Sequence, residues 1–223
     1  YKEKKEAECC MKKKRLICLD FDNTIIKSDK AHIEAYNKAF LKNGLKKVCA
    51  ARLKKEFGLV GRMVVKRIFP SISERLLDRV GIDHHAFLVK ETSTYAKQIP
   101  GAIDAIKKLK KKYQIAATSN CSRRTLFELM KAAGIDRKLF DICIGHDNVL
   151  HPKPAPDEIF KAEQLLHTRA DYMVGDSIYD VRAGKKAKVK TIAVLTGNHS
   201  RKMLAKEKPF KIISSIRELP NII

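Results

Sequence analysis

Residues 16–24 read LICLDFDNT, an apolar run that ends in two carboxylates, Asp20 and Asp22. Four apolar side chains in succession, followed by polar residues, are typical of a short buried β-strand. On an extended strand, side chains two residues apart point to the same side, so the two carboxylates are expected to lie close together and to repel. The stretch therefore predicts a strand whose carboxyl end carries a charged site.

Further strands are predicted along the rest of the chain, and helices are predicted between them. The strand candidates are residues 114–119, 141–145, 172–176 and 190–195, with 210–213 as a possible sixth. Amphipathic helices are predicted over about residues 102–113, 123–133, 156–166 and 178–187. Strands that alternate with helices of this length indicate βαβ units, so we expect an α/β fold with a Rossmann-like parallel sheet.

Residues 28–97 interrupt this alternation. They contain several helical patterns and no convincing strand, which predicts an α-helical cap domain inserted after the first strand. The expected core then consists of residues 12–27 and 98–223. Residues 1–11 form a basic tail, which is expected to be disordered.

The chain is strongly basic, with 47 Lys and Arg against 25 Asp and Glu and a net charge of +22 over 223 residues. The cations are spread along the whole sequence, 34 of them are lysines, and aromatic residues make up only 7%. This composition is poor material for stacking on bases. We expect the charge to attract small anionic substrates and to bind nucleic acid only non-specifically.

The apolar stretches and the cysteines bear on the compartment. No apolar stretch approaches the roughly 20 residues that span a bilayer, so no membrane partner is expected. The six cysteines lack the CxxC and histidine spacing of zinc sites. We therefore expect reduced thiols in a cytoplasmic protein. The expected assembly is either a monomer or a homodimer.

Polar side chains are expected at four strand ends, which is where ligands bind in open parallel sheets. The four groups are Asp20 with Asp22 and Thr24; Thr118, Ser119 and Asn120; Lys153; and Asp176 with Ser177 and Asp180. Each group alone has a structural explanation, such as the capping box that Ser177 and Asp180 would form at a helix start. Together, in this order, they indicate a phosphate site.

These groups resemble the ordered motifs of the haloacid dehalogenase superfamily of phosphohydrolases, here DFDNT, TSN, PKP and GDSIYD. The resemblance covers residues 16–197, and the inserted helical cap is similar to the phosphoglycolate phosphatase and β-phosphoglucomutase branch. It implies Mg²⁺ as the cofactor, bound by the side chains of Asp20 and Asp176 and by the backbone carbonyl of Asp22. Asp180 would support the metal or orient Lys153.

The resemblance also implies a mechanism. Asp20 would attack phosphorus to form an aspartyl phosphate. Asp22 would protonate the departing alkoxide and then take a proton from the attacking water. The implied phosphate-binding residues are Thr24, Ser119, Asn120 and Lys153. Because TSN offers two hydroxyl groups, Thr118 remains an alternative to Ser119.

The expected function is that of a Mg²⁺-dependent phosphatase acting on small, phosphoglycolate-like phosphate monoesters. A sugar phosphomutase, or a nucleotide or pyrophosphate hydrolase, on the same core is the alternative. A basic nucleic-acid-binding or scaffold protein on a degenerate core represents a different class. In the predicted cap, Arg62 either reads a substrate carboxylate bidentately or is an exposed arginine at a helix start.

Overall fold

The computed structural model describes residues 14–223, so the predicted tail of residues 1–11 lies outside the described residues. The strands are β1 (Arg15–Asp20), β2 (Ile26–Lys27), β3 (Lys97–Gln98), β4 (Tyr113–Ser119), β5 (Ile142–Gly145), β6 (Ala170–Gly175), β7 (Lys190–Val194) and β8 (Lys211–Ile213). Six of them form one sheet in the order β5-β4-β1-β6-β7-β8, with every pair parallel. The predicted α/β fold with a parallel sheet is confirmed.

Helices pack on both faces of this sheet, and further helices form the segment of residues 28–97. They are α1 (Asp29–Lys42), α2 (Ala50–Lys54), α3 (Gly61–Ile68), α4 (Glu74–Phe87), α5 (Ala102–Lys110), α6 (Arg123–Ala132), α7 (Asp157–Leu166), α8 (Ile178–Lys186) and α9 (Arg201–Lys206). The longest, α1 and α4, have 14 residues each. Among residues 14–223, no helix has both the length and the apolar character needed to cross a bilayer.

Strand β1 is buried on both faces, which explains its unbroken apolar run. Ile17 packs in one apolar cluster with Ile106 of α5 and with residues of α6. Its neighbour Cys18 faces the other way and packs with Ile159 of α7 and with residues of α8. Alternate side chains enter two different clusters, so both faces of the strand are covered. Because β1 lies between β4 and β6, its carboxyl end has strand ends on both sides.

The segment of residues 28–97 is helical, with its own apolar cluster built from α1, α3 and α4. One prediction for this region is wrong, because Lys97–Gln98 is a strand that pairs antiparallel with Ile26–Lys27. Two-residue strands show no periodicity in a sequence, so the pattern could not indicate them. The pairing joins the start and the end of the helical segment; its treatment as a separate cap domain remains a proposal.

Candidate active site

The carboxyl edge of the sheet opens into a cavity of about 950 Å³ that is closed on the other side by α1, α3 and α4. Eight of the predicted site residues line it: Asp20, Asp22, Arg62, Asn120, Lys153, Asp176, Ser177 and Asp180. Arg62 lies on α3. The others meet at the carboxyl edge of the parallel sheet although they are far apart in the sequence. Apolar and aromatic side chains of the helical segment, including Tyr36, Phe57 and Leu77, form the opposite wall.

Lys153 lies at the centre of the carboxylates. Its Nζ donates to Asp20 Oδ1 at 2.6 Å and to Asp180 Oδ1 at 2.8 Å, and Glu158 Oε2 lies 4.0 Å away. The lysine is 4% exposed, and the three carboxylates are buried as well. Burial opposes the charge on Lys153, but Asp180 and Asp20 outweigh it and raise the pKa of the lysine. The ammonium group is therefore a fixed positive charge at the end of β1.

A single lysine does not balance the acidic groups around it. Carboxylate oxygens of Asp20, Asp176 and Asp180 lie within 4.8 Å of one another. When all are ionised, three carboxylates and one ammonium leave two negative charges uncompensated in a buried place. Burial, together with this mutual repulsion, raises the pKa of both Asp20 and Asp176. Asp20 Oδ2 is also buried and has no hydrogen-bond partner among residues 14–223. This set of oxygens fits a hard divalent cation such as Mg²⁺.

Two glycines make room for these carboxylates. A Cβ atom on Gly197 would come within 1.6 Å of Asp176 Oδ2, and one on Gly175 would come within 2.3 Å of Asp180 Cγ. No side chain fits at either place. The carboxylates of Asp176 and Asp180 are thus held against bare backbone.

Asp180 both caps helix α8 and contacts Lys153, the structural and the functional explanation that the sequence offered for it. Its Oδ2 accepts from the backbone N–H of Ser177 at 3.0 Å, and the Ser177 hydroxyl accepts from the Asp180 N–H at 3.3 Å, which together form the capping box of α8. Its other oxygen, Oδ1, accepts from Lys153. The cap therefore fixes the carboxylate that orients the lysine, and neither role excludes the other.

Asp22 lies just beyond β1 and is held by the helical segment and by β4. Its Oδ1 lies 3.3 Å from His32 Nε2, and its Oδ2 accepts from the Ser119 hydroxyl at 3.0 Å. Burial opposes the ionisation of Asp22, but the contact with His32 and the hydrogen bond from Ser119 outweigh it and lower its pKa to about 2. Asp22 is therefore a carboxylate at neutral pH in this arrangement.

The other residues predicted to bind phosphate have different surroundings. The Thr118 hydroxyl donates to the Leu19 carbonyl at 3.4 Å, so Ser119 is the TSN hydroxyl that faces Asp22. Thr24 is buried, and its hydroxyl has no partner within the described residues. Neither Thr24 nor Ser119 lines the cavity.

Asn120 connects the sheet to the helical segment. Its side-chain amide donates to the Gly58 carbonyl at 2.7 Å and to the Lys153 carbonyl at 2.9 Å. Both of its N–H groups are thus used by the protein, and neither is left for a phosphate. Gly58 can approach this closely because it has φ +97° and no Cβ; a Cβ there would meet Tyr179 at 2.9 Å.

Arg62, for which the sequence left two interpretations open, forms ion pairs with Glu74 and Asp78 of α4. Its side chain is half exposed, and it is the second residue of α3. This placement agrees with the alternative interpretation, an exposed arginine at a helix start. Arg124 also lines the cavity, and it makes no ion pair with any residue in 14–223. Sequence reasoning did not single out Arg124.

Three further residues at the site carried no usable signal in the sequence. His32 lies ten positions after Asp22 on α1, where a histidine is unremarkable. Cys121 and Glu158 directly follow TSN and KPAPD but belong to no pattern. Glu158 is fully buried, and its two oxygens lack hydrogen-bond partners among the described residues. Burial raises its pKa to about 7, although Lys153 opposes the shift.

The fold and this site define a class of α/β proteins in which carboxylates and a lysine meet at the carboxyl edge of a parallel sheet. The family profile of haloacid dehalogenase-like hydrolases matches residues 17–194. The chain belongs to that family, as its motifs predicted.

Curated relatives match over part of the chain. The Pyrophosphatase PpaX proteins of Bacillus mycoides (strain KBAB4) and Bacillus cereus (strain Q1) are each 31% identical to it over 144 residues. That segment spans 63% of this chain and 63% of each relative, so the match covers less than two thirds of the relatives' length.

Solved structures share the whole fold. A predicted phosphoglycolate phosphatase from Haemophilus somnus 129PT has a TM-score of 0.84 at 20% identity, covering 95% of this chain and 99% of that one. CbbY from Rhodobacter sphaeroides, in complex with phosphate, has a TM-score of 0.78 at 20% identity and covers 92% and 96%. At these identities the likeness shows the fold alone.

Proposed function

We propose that this protein is a Mg²⁺-dependent phosphatase of small phosphate monoesters that works through an aspartyl phosphate on Asp20. The observation that carries the proposal is the placement of the Asp20 carboxylate. Lys153 holds one of its oxygens at 2.6 Å, while the other is buried beside Asp176 and Asp180 and has no hydrogen-bond partner in the part of the chain that the structure describes. A carboxylate that is fixed on one side and unpartnered on the other is suited to nucleophilic attack.

In the first step, a carboxylate oxygen of Asp20 forms a bond to phosphorus, and the bond between phosphorus and the ester oxygen breaks. The ammonium of Lys153 attracts both the nucleophile and the incoming phosphate. In the second step, water attacks the aspartyl phosphate, which releases inorganic phosphate and regenerates Asp20. Ser119, in contact with Asp22, is the hydroxyl proposed to hold a transferring oxygen.

Asp22 is proposed to move the protons of both steps. Since its pKa is held at about 2, it enters the reaction as a carboxylate, so the proton for the leaving oxygen has to come from a neighbour. His32 Nε2, at 3.3 Å, is the neighbouring group that can supply this proton through Asp22. In the second step Asp22 accepts a proton from the attacking water.

The side chains of Asp20 and Asp176 and the backbone carbonyl of Asp22 are proposed to hold Mg²⁺, with Asp180 supporting the site through Lys153. The cation would neutralise the negative charge that repels a phosphate dianion from the carboxylates. The two uncompensated charges of the buried cluster support this assignment, as does the chemistry of an all-oxygen set of ligands.

The comparisons support two substrate classes. Phosphate monoesters are favoured by the neighbour named as a predicted phosphoglycolate phosphatase, and pyrophosphate by the relatives named Pyrophosphatase PpaX. The same residues would serve both, because only the leaving group differs. A cytoplasmic location is part of the proposal.

A panel of phosphate compounds, assayed with and without Mg²⁺, tests this function. It contains phosphoglycolate, sugar phosphates, nucleotides and pyrophosphate, and it measures the release of inorganic phosphate. We expect release that depends on Mg²⁺ in the wild type and is lost in Asp20→Asn. Salt-dependent DNA binding without any Mg²⁺-dependent release would instead support a nucleic-acid-binding protein.

A further inference from the structure

We propose that Asp22, His32 and Cys121 form a second cation site, specific for a soft divalent transition metal such as Zn²⁺. It lies on the side of the cavity that faces the helical segment. Residues 14–223 contain two groups of side chains able to hold a metal, and this is the one with nitrogen and sulfur donors. It is distinct from the all-carboxylate cluster of Asp20, Asp176 and Asp180.

The donor atoms are already spaced as metal ligands. His32 Nε2 lies 3.3 Å from Asp22 Oδ1 and 3.8 Å from Cys121 Sγ, and all three donors lie within 4.8 Å of one another. Tetrahedral zinc, with bonds of about 2.0 Å to nitrogen and oxygen and about 2.3 Å to sulfur, separates its ligands by about 3.3–3.6 Å. The three side chains therefore need to move only slightly to bind one ion.

Each ligand is held in place by groups outside the site. The Cys121 N–H donates to the Ser119 hydroxyl at 3.0 Å, and its carbonyl accepts from the His146 N–H at 3.0 Å. His32 Nδ1 lies 3.4 Å from His84 Nε2, whose ring stacks on Tyr36 with centroids 3.8 Å apart. A partner on Nδ1 orients the imidazole and directs Nε2 towards Asp22 and Cys121, as is usual for histidines that bind metals.

The cavity gives the site access to solvent and room for a fourth ligand. All three side chains line it, and 22% of the Asp22 side chain and 11% of the His32 side chain are exposed. A water molecule from the cavity can therefore complete the coordination. The Cys121 thiol proton leaves to bulk water as the metal–sulfur bond forms.

The ligand chemistry separates the two sites. Thiolate and imidazole ligands favour zinc and similar metals, whereas carboxylate oxygens favour Mg²⁺. Occupation of the second site would tie up the Asp22 carboxylate. It would therefore inhibit the hydrolase, a consequence that rests on the proposed function.

Cobalt(II) is the probe, because a bond between cobalt and a thiolate gives an intense near-ultraviolet charge-transfer band that carboxylate ligands do not give. The full chain is prepared with Cys9, Cys10 and Cys49 replaced by serine, which leaves Cys121 in the cavity lining and the buried Cys18 and Cys143. Co²⁺ is titrated in, and Zn²⁺ is then added. A second protein carries Cys121→Ser as well, and a third carries His32→Gln instead. Near-ultraviolet circular dichroism compares their folds.

We expect the band in the first protein at one Co²⁺ per chain, its loss on addition of Zn²⁺, and its absence in the Cys121→Ser protein. The His32→Gln protein should bind Co²⁺ more weakly while keeping its fold. A band that survives Cys121→Ser, or no band in the first protein, would overturn the proposal. The readout is independent of phosphate release, so its failure and that of the proposed function can be distinguished.

Discussion

Lys153 Nζ lies 2.6 Å from Asp20 Oδ1 in a buried cluster, where the lysine is 4% exposed and the aspartate 6%. The same ammonium binds Asp180 and lies 4.0 Å from Glu158. One positive charge therefore opposes, for several carboxylates at once, the protonation that burial favours. The lysine is a structural support of the site as well as a proposed phosphate ligand.

Replacement of this lysine should cost stability. Lys153→Met is expected to lower the free energy of unfolding by about 3–5 kcal/mol at neutral pH, because buried carboxylates lose their partner. Adding Asp20→Asn to Lys153→Met should recover part of the loss. Urea unfolding measures both. Lys107→Met, at an exposed position of α5, is the control and should change the stability by less than about 0.5 kcal/mol. A similar effect of Lys153→Met and Lys107→Met would contradict the interpretation.

The proton path through Asp22 and His32 predicts a dependence on the leaving group. Asp22→Asn and His32→Gln should slow the first turnover of an alkyl phosphate by about 10²–10⁴-fold. p-Nitrophenyl phosphate should be affected much less, because nitrophenolate leaves without a proton. Rapid-quench measurement of the first turnover isolates this step.

His151→Gln, at an exposed histidine outside the cavity lining, is the control for these rates. It should leave the first turnover of both esters unchanged. Equal slowing of both esters in Asp22→Asn and His32→Gln would show that these residues do not deliver the proton.

The close approach of Gly197 to Asp176 predicts a specific effect on metal affinity. In Gly197→Ala the new Cβ would meet Asp176 Oδ2 at 1.6 Å, so the carboxylate has to move. We expect the half-saturating Mg²⁺ concentration to rise by about 10–100-fold. In Gly81→Ala the new Cβ would have no atom of the described residues within 4 Å, so Mg²⁺ dependence should not change. Identical Mg²⁺ titrations of the two variants would refute the role of Gly197.

The ion pairs of Arg62 make Arg124 the better candidate for binding a substrate carboxylate. Because Glu74 and Asp78 already bind it, Arg62→Ala should alter KM for phosphoglycolate and for ethyl phosphate to the same small extent. Arg124→Ala should raise KM for phosphoglycolate about tenfold or more and leave ethyl phosphate unaffected, since only phosphoglycolate carries a carboxylate. The reverse pattern would restore Arg62 as the reader.

Much of the sheet and the residues at its carboxyl edge could be predicted because local sequence encodes them. Apolar runs marked β1 and β4–β7, and polar residues marked the ends of β1, β4 and β6. Parallel topology then required Asp20 and Asp176 to meet. Asn23 also fits its left-handed backbone, with φ +56°.

What could not be predicted depends on contacts between distant segments. The pairing of Ile26–Lys27 with Lys97–Gln98 has no periodic signal, and neither does the bond from Asn120 to Gly58. The sequence could not show that Arg62 is already paired, because Glu74 and Asp78 lie on a different helix. His32 and Gly197 belong to no recognisable motif. Only the folded chain shows that they approach Asp22 and Asp176.

Rapid-quench trapping with a phosphorus-radiolabelled substrate from the panel tests the central claim most directly. The account predicts a phosphoprotein that hydroxylamine cleaves, with the label on Asp20 and no label in Asp20→Asn. Steady turnover by Asp20→Asn at the wild-type rate, or a label on any other residue, would contradict it.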